Sequence, residues 1–133
     1  MNSAIKIGDH SSLIRTYSAD DILDFSELSL DKNPLHLDED YAAQSIFGKR
    51  VVHGMLVASL FSAILGTVLP GEGSIYLGQT LNFKAPIYLG DEITARVEVI
   101  KIRADKPIVT LKTTAVNGAG TIVIDGEAVV KVT

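Results

Sequence analysis

A long apolar segment near the middle of the chain, residues 51–69, most constrains the fold. It contains almost only apolar and small residues and ends at Pro70-Gly71. A Pro-Gly pair stops a helix, and the flanks lack the aromatic and basic anchors of a membrane span. The segment therefore predicts a buried helix over about residues 54–69, because a helix that is apolar nearly all round belongs at the centre of a fold.

One face of this predicted helix carries small residues. Met55, Ser59, Ser62 and Gly66 follow one another at spacings of four, three and four, so they share a stripe. We expect either a neighbouring sheet or a bound acyl chain to approach this stripe closely.

After Gly71 the pattern changes to β-strands. Four segments alternate apolar with polar residues and are rich in Val, Ile and Thr, which predicts an antiparallel meander with one dry face. The dry face needs the apolar helix as its cover. The sequence thus predicts a single α+β domain over residues 1–133, a curved sheet wrapped around a central helix. The four segments are residues 75–84, 92–102, 108–116 and 121–132.

The N-terminal part predicts a short extended piece over residues 13–17 and then two helices. Ser18 is a suitable N-cap for the first helix, which we expect to end just before Asp31. Asp38 is a suitable N-cap for a second, short helix.

The composition excludes one class of partner, and the N-terminal residues predict a location. The 133 residues include no cysteine, and the net charge is -4. Phosphate binding needs a basic surface, so nucleic acid is excluded as a partner. The first residues resemble neither a signal nor a transit peptide, which predicts a cytoplasmic protein.

The segment from Asp31 to His36 carries the candidate chemistry. Pro34 rules out an unbroken helix, so the carboxylate and the imidazole can converge only through a turn, which Asn33 can stabilise by bonding local backbone. Gly54 opens the long helix, and its N–H has no intrahelical partner, which suits an oxygen that gains negative charge. An acid, a base and a backbone donor are the groups needed to act on a carbonyl compound.

Other readings of the same residues exist. Judged alone, His36 between two leucines fits a packed histidine. Gly54 and His53 fit residues that only mark the start of a helix. The set Asp31, His36, Asp38 and His53 could also bind a metal ion, but the spacing matches no recognised metal site, so we expect none.

The run Asp31-Lys32-Asn33-Pro34-Leu35-His36, with Ala42 six residues on and His53-Gly54-Met55 further along, resembles the signature of the MaoC-like (R)-specific enoyl-CoA hydratases. This family, also called hydratase 2, has the hot-dog fold. The resemblance covers essentially the whole chain and is close to the short bacterial form that feeds polyhydroxyalkanoate synthesis. One departure is Leu30, where the broader signature has glycine.

The resemblance implies an enzyme that adds water to trans-2-enoyl-CoA to give (R)-3-hydroxyacyl-CoA. It implies a homodimer without a resident cofactor, since coenzyme A is part of the substrate. Asp31 and His36 would be the hydration dyad, and the Gly54 N–H would bind the thioester oxygen. Five further residues would contact or border the substrate, with the last two limiting its chain length: Asn33, His53, Ser62, Leu65 and Val130.

Coenzyme A also carries phosphates, which need basic residues on this acidic protein. The candidates are Lys49, Arg50, Lys84, Arg103 and Lys106, and we expect Arg103 and Lys106, in a loop before Pro107, to bind the phosphates.

Three rival functions remain. A dehydratase could use the same dyad on an acyl-carrier-protein thioester, and a non-catalytic acyl-CoA-binding module could keep the fold. The third rival is a thioesterase, which in this fold usually has a carboxylate on the central helix. Residues 54–69 contain no Asp or Glu, and this absence favours hydration.

Overall fold

The computed structural model describes residues 5–133. Its elements, in chain order, are β1 (His10–Thr16), α1 (Ala19–Ser29), α2 (Pro34–Leu37), α3 (Glu39–Ala43), α4 (Gly54–Thr67), β2 (Ile75–Gln79), β3 (Asn82–Phe83), β4 (Glu92–Ile102), β5 (Ile108–Val116) and β6 (Ile122–Lys131). The helix α4 has 14 residues, about 21 Å at 1.5 Å per residue. Within residues 5–133, no helix has the length and apolarity needed to cross a membrane.

The strands form one antiparallel sheet in the order β1-β4-β5-β6-β2, and β3 also pairs with β6. The predicted meander is therefore correct only for β4, β5 and β6. The strand predicted over residues 75–84 does not pair with the next strand along the chain. Its first part, β2, pairs instead with the far side of β6. Alternation of apolar residues identifies strands but not their partners, so the sequence did not reveal this crossover.

The predicted strand over residues 75–84 is broken into β2 and β3. At the break the chain approaches β6 closely: a Cβ on Gly126 would lie 1.8 Å from the Thr80 carbonyl oxygen. Thr80 bonds Glu127 twice, through its backbone N–H and through its hydroxyl. Only a glycine at position 126 allows the Thr80 carbonyl to come this close to β6.

The apolar face of α4 packs on one face of the sheet. Phe61, Ile64 and Leu65 are buried against sheet residues such as Val97 and Leu111. This confirms the central helix that the sequence predicts.

The opposite face of α4 is exposed within the chain. Met55 is 59 % exposed, and Ser59, Ser62 and Gly66 are also exposed. Within residues 5–133 no sheet covers the small-residue stripe, so that alternative is wrong for this chain, and the approach of a bound acyl chain stays a prediction. The sequence pattern did not predict this exposed face, because its small residues are neither strongly polar nor strongly apolar.

The ends of α1 follow the predicted signals. Ser18 and Asp21 form a capping box, with each side chain accepting a hydrogen bond from the other residue's backbone N–H, at 3.2 and 2.9 Å. The helix ends at Leu30, which adopts the left-handed conformation with φ of 69°. Asp38 caps α3 through a bond from the Tyr41 N–H, as predicted.

Candidate active site

The loop after α1 carries the predicted dyad and is held by local hydrogen bonds. The Asp31 carboxylate accepts a bond from the Asn33 N–H at 3.2 Å, and the Asn33 side chain accepts one from the Leu35 N–H at 3.0 Å. Pro34 is the first residue of α2, a position that needs no backbone N–H. The turn predicted from Asn33 and Pro34 is thus present, and a single helical turn follows it.

This turn brings the acid and the base together. A carboxylate oxygen of Asp31, a ring nitrogen of His36 and a ring nitrogen of His53 lie within 4.8 Å of one another. A water that bonds two groups at about 2.8 Å each and at a tetrahedral angle spans about 4.5 Å. The separation of Asp31 and His36 therefore fits one shared water.

The orientation of the His36 ring is fixed by the backbone of residue 51. Its Nδ1 lies 2.8 Å from the Val51 carbonyl oxygen, which can only accept, so Nδ1 carries the proton. Nε2 is then left with a free lone pair for a water or substrate proton. The Arg50 Nε–H donates to the His36 carbonyl oxygen at 2.7 Å and fixes the same residue from its backbone side.

His53 lies behind this dyad and is only 1 % exposed. Its ring stacks on His36, with centroids 3.8 Å apart and planes 26° from parallel. Burial is the main cause that lowers the pKa of His53 below 6.5, so the neutral ring is favoured. The lone pairs of two stacked rings run side by side and do not converge on one point, which disfavours a metal ion shared by Asp31, His36 and His53.

Gly54 begins α4 and presents a helix N-terminus to the site. The backbone bonds of the first turn start with the N–H groups of Leu56 and Val57, both donated to the His53 carbonyl. The Gly54 N–H has no such intrahelical acceptor. A Cβ at this position would lie 2.5 Å from a carbon of the Phe83 ring, so glycine is needed for this packing.

These groups share one cavity of about 450 Å³, large enough for part of an acyl thioester. Asp31, His36 and Gly54 line it, and His53 borders it without exposing much surface. The other walls are mainly apolar, with one basic residue among them: Leu35, Phe47, Val51, Val52, Met55, Phe83, Lys84, Ala85, Pro86 and Ile87.

Four of the residues expected to contact substrate are not among the cavity walls of this chain. Asn33 caps α2, Ser62 lies on the exposed face of α4, and Leu65 and Val130 are buried in the core. Leu65 follows Gly54 by about 16 Å along the helix, which explains its distance from the dyad.

Arg103 and Lys106 lie at the opposite end of the sheet from the dyad, and their contact with the coenzyme A phosphates stays a prediction. The site end is marked by Phe83, which pairs with Ile124, and the loop of Arg103 precedes Ile108 at the other end of β5. These ends are about 23 Å apart at 3.3 Å per residue. Arg103 also donates two bonds to Asp105, at 3.0 and 2.7 Å.

Sequence reasoning gave too little weight to two wall residues, Phe83 and Lys84. Lys84 was one basic candidate among five, and Phe83 carried no motif. Their position follows from the pairing of β3 with β6, which the sequence alone does not predict.

The chain is similar to known proteins in sequence and in structure. A family model described as the MaoC-like domain matches residues 6–119. The chain belongs to the MaoC-like family. Among curated relatives, an (R)-specific enoyl-CoA hydratase of Aeromonas caviae is 51 % identical over 128 residues, which cover 96 % of each chain.

Other relatives extend the picture. A mitochondrial 3-hydroxyacyl-[acyl-carrier-protein] dehydratase of Solanum lycopersicum is 45 % identical over 129 residues, covering 96 % of this chain and 77 % of the relative. The solved (R)-hydratase from A. caviae, described as involved in PHA biosynthesis, matches with a TM-score of 0.97 and 50 % identity over 98 % of this chain and 99 % of that one. The predicted hot-dog fold of this MaoC-like chain is confirmed.

Proposed function

We propose that this MaoC-like protein adds water to trans-2-enoyl-CoA and forms (R)-3-hydroxyacyl-CoA. The observation that carries the proposal is the placement of the Asp31 carboxylate and a His36 ring nitrogen within 4.8 Å of each other, in a cavity that Gly54 also lines. The 51 % identity to the A. caviae enzyme supports the same activity and the link to polyhydroxyalkanoate synthesis.

The proposed reaction begins with the thioester oxygen bound to the Gly54 N–H. Negative charge develops on this oxygen as an enolate forms, and the helix N-terminus stabilises it. Asp31 and the Nε2 of His36 hold one water between them. The water oxygen bonds to C3 while one member of the dyad accepts a proton from the water. The dyad then returns one proton to C2 from the same side, so both groups end in their starting state.

Coenzyme A enters this proposal as part of the substrate. Lys84, the basic residue in the cavity wall, is placed to attract its phosphates. Arg103 and Lys106, at the other end of the sheet, stay predicted candidates for the same phosphates.

Selection for acyl chain length by Leu65 and Val130 stays a prediction, as does the place of Ser62 beside the site. If these residues border the tail, Leu65→Ala should raise kcat/KM for longer enoyl chains relative to crotonyl-CoA. An unchanged chain-length profile would count against the prediction.

We also propose a homodimer and, as the sequence predicts, a cytoplasmic location. The unpaired edge of β2 exposes three consecutive apolar residues, Ile75, Tyr76 and Leu77. Pairing two such edges across a two-fold axis would satisfy the backbone groups and cover this apolar run. Light scattering should give twice the chain mass, and Leu77→Arg should shift it toward the monomer.

The second candidate is a dehydratase for acyl-carrier-protein thioesters, favoured by the 45 % identity to the tomato enzyme. A comparison of kcat/KM for crotonyl-CoA and crotonyl-acyl-carrier protein separates the two. At least tenfold preference for crotonyl-CoA supports our proposal, and the reverse preference supports the dehydratase.

The test of the reaction class uses purified protein and crotonyl-CoA. We expect loss of the enoyl absorbance without release of free thiol, and chiral analysis should give the (R) alcohol. Thiol release would indicate a thioesterase, and no change in either signal would indicate a binding module.

A further inference from the structure

One buried residue contacts all three members of the proposed catalytic set. The ring of His53 stacks on His36, its Nε2 lies 3.1 Å from the Asp31 carbonyl oxygen, and its own backbone directly precedes Gly54 at the start of α4. None of these contacts requires His53 to touch a substrate, and the side chain exposes only 1 % of its surface.

We propose that His53 is a positioning residue, which fixes Asp31, His36 and Gly54 relative to one another in a single arrangement. This inference rests on the proposed hydration function and replaces the expectation that His53 binds substrate. It predicts that His53 controls kcat through geometry and has little influence on substrate affinity.

The hydrogen bond to Asp31 determines the tautomer of His53. A carbonyl oxygen only accepts, so the proton of the ring lies on Nε2 and is donated to the Asp31 carbonyl. The hydroxyl oxygen of Ser26 lies 3.2 Å from the same nitrogen and accepts the second branch of this bond. The backbone of Asp31 is thereby tied to a residue 22 positions away in sequence, which orients its carboxylate.

The stack on His36 fixes the second member of the set. His53 lies between His36 on one side and the ring of Phe25, 4.8 Å away and edge-on at 67°, on the other. With Nδ1 of His36 bound to Val51, the ring can rotate only by breaking that bond or leaving the stack. Both contacts together fix the His36 ring beside Asp31, and Nε2 is the ring nitrogen that is not bound to Val51.

The cost of this arrangement is visible at the other ring nitrogen. Nδ1 of His53 is buried without a hydrogen-bond partner among the described residues. The large majority of buried side-chain polar atoms have a hydrogen-bond partner, so an unpaired one calls for an explanation. The unpaired nitrogen is consistent with a residue retained for the geometry that its ring and Nε2 impose.

Three substitutions divide the role of His53 into its parts. His53→Gln keeps an amide donor near the position of Nε2 but loses the ring, and His53→Phe keeps a ring but loses the donor. His53→Leu loses both. We expect kcat for crotonyl-CoA to fall at least 30-fold in His53→Leu and less in the other two variants, with KM within threefold of the wild type in all three.

Val97→Ala is the matched control for stability. Val97 is fully buried in β4 and does not line the cavity, so its truncation lowers stability without touching the site. With all assays run well below each melting temperature, kcat of Val97→Ala should stay within twofold of the wild type. A kcat of His53→Leu within threefold of the wild type would overturn the positioning role.

A measurement without substrate separates this inference from the proposed function. Nitrogen-15 NMR of histidine-labelled protein at pH 7.5 should show a neutral His53 with its proton on Nε2, and a His36 with its proton on Nδ1. In His53→Leu, the His36 ring signals should broaden or move. A proton on Nδ1 of His53, or unchanged His36 signals in the variant, would overturn the inference, whereas an inactive wild type with the expected spectrum would overturn only the proposed function.

Discussion

Two loops of this molecule have similar composition and opposite behaviour. The loop at residues 31–36 and the loop at residues 103–107 each contain an aspartate, a basic residue and a proline. In the second loop, Arg103 binds Asp105 through two hydrogen bonds, and these bonds lower the pKa of the Asp105 carboxyl. The loop is exposed, and its charges satisfy each other.

The loop at residues 31–36 is held by other parts of the chain. Val51 fixes the His36 ring, Arg50 fixes the His36 carbonyl, and His53 fixes the Asp31 carbonyl. The comparison teaches that residue types alone do not distinguish a site from a surface loop. The site is the loop whose backbone is restrained from outside, so that its carboxylate and imidazole remain available at the cavity.

The largest effect should follow from removing either dyad group. Asp31→Asn and His36→Gln should each lower kcat/KM for crotonyl-CoA by about 10²–10⁴-fold, because each variant loses a proton-transfer group while keeping its size. Steady-state kinetics at pH 7.5 measures this.

The matched control in the other loop is Asp105→Asn. It removes a carboxylate of the same type and should change kcat/KM by less than about twofold, since the site lies some 23 Å away. Equal losses in Asp31→Asn and Asp105→Asn would contradict the distinction between the loops.

A smaller loss is expected when a methyl group is added beside the thioester-binding N–H. Gly54→Ala keeps the N–H but places Cβ 2.5 Å from the Phe83 ring, so the ring or the helix start must move. We expect kcat to fall about 10–100-fold, which is less than the roughly 10²–10³-fold loss for an oxyanion donor that is removed outright.

Adding Phe83→Ala to Gly54→Ala tests the cause. Removal of the ring makes room for the methyl group, so the double variant should recover part of kcat relative to Gly54→Ala. A double variant as slow as the product of the two single losses would show that the clash with Phe83 is not the reason.

The basic residues of the two ends should differ in substrate affinity. Lys84→Ala should raise KM for crotonyl-CoA about 3–10-fold with little change in kcat, because a cation near the phosphates is lost. The effect should shrink at 0.5 M salt, which screens exposed charges. Lys106→Ala is the control, and a larger effect there than at Lys84 would return the phosphate site to the far loop.

Leu30 allows a test of backbone strain at the start of the site loop. Leu30 is 79 % exposed and has φ of 69°. The family signature that this chain resembles has glycine at the same position. Leu30→Gly should raise the free energy of unfolding by up to about 1 kcal/mol, because glycine adopts this conformation without a Cβ penalty. Urea denaturation measures the change.

Leu28→Gly is the paired control for Leu30. Leu28 is 85 % exposed but lies inside α1, where glycine costs about 1 kcal/mol relative to good helix formers. The two leucine-to-glycine changes should therefore have opposite signs. A loss of stability in both variants would show that the left-handed turn at Leu30 is not strained.

The smallest expected effect is a pH dependence of stability due to His53. Burial lowers its pKa in the folded state, so below pH 6.5 the unfolded chain binds a proton that the folded chain does not. The free energy of unfolding should be constant from this source above pH 6.5 and fall as the pH drops. Urea curves at pH 7.5 and 5.5 should show a larger loss in the wild type than in His53→Gln, and equal losses would contradict this assignment.

The sequence predicted the features that depend on local residue patterns. The N-cap at Ser18, the turn at Asn33-Pro34 and the start of α4 at Gly54 were all correct, since each follows from neighbouring residues. The crossover that pairs β2 with β6 was not predicted, because strand pairing is set by the whole sheet. The sequence also did not reveal how far Arg103 and Lys106 lie from the dyad, or that Lys84 lines the cavity, because both depend on that topology.

His53 shows the same limit inside the site. Its place beside Gly54 was evident from the sequence, but its burial and its bond to Asp31 depend on how α1 packs against the start of α4. A residue named as a substrate contact on its position in a motif lies one layer behind the reacting groups.

The most direct test of the shared water uses hydration of crotonyl-CoA in deuterium oxide. Asp31 and His36 reach the substrate from one side, so we predict that deuterium at C2 and hydroxyl at C3 arrive on the same face, giving the (R) alcohol with the configuration of syn addition. Proton NMR coupling between C2 and C3 of the product reads this configuration. Anti addition would contradict a single water held by these two side chains, and an (S) alcohol would contradict the proposed (R) specificity.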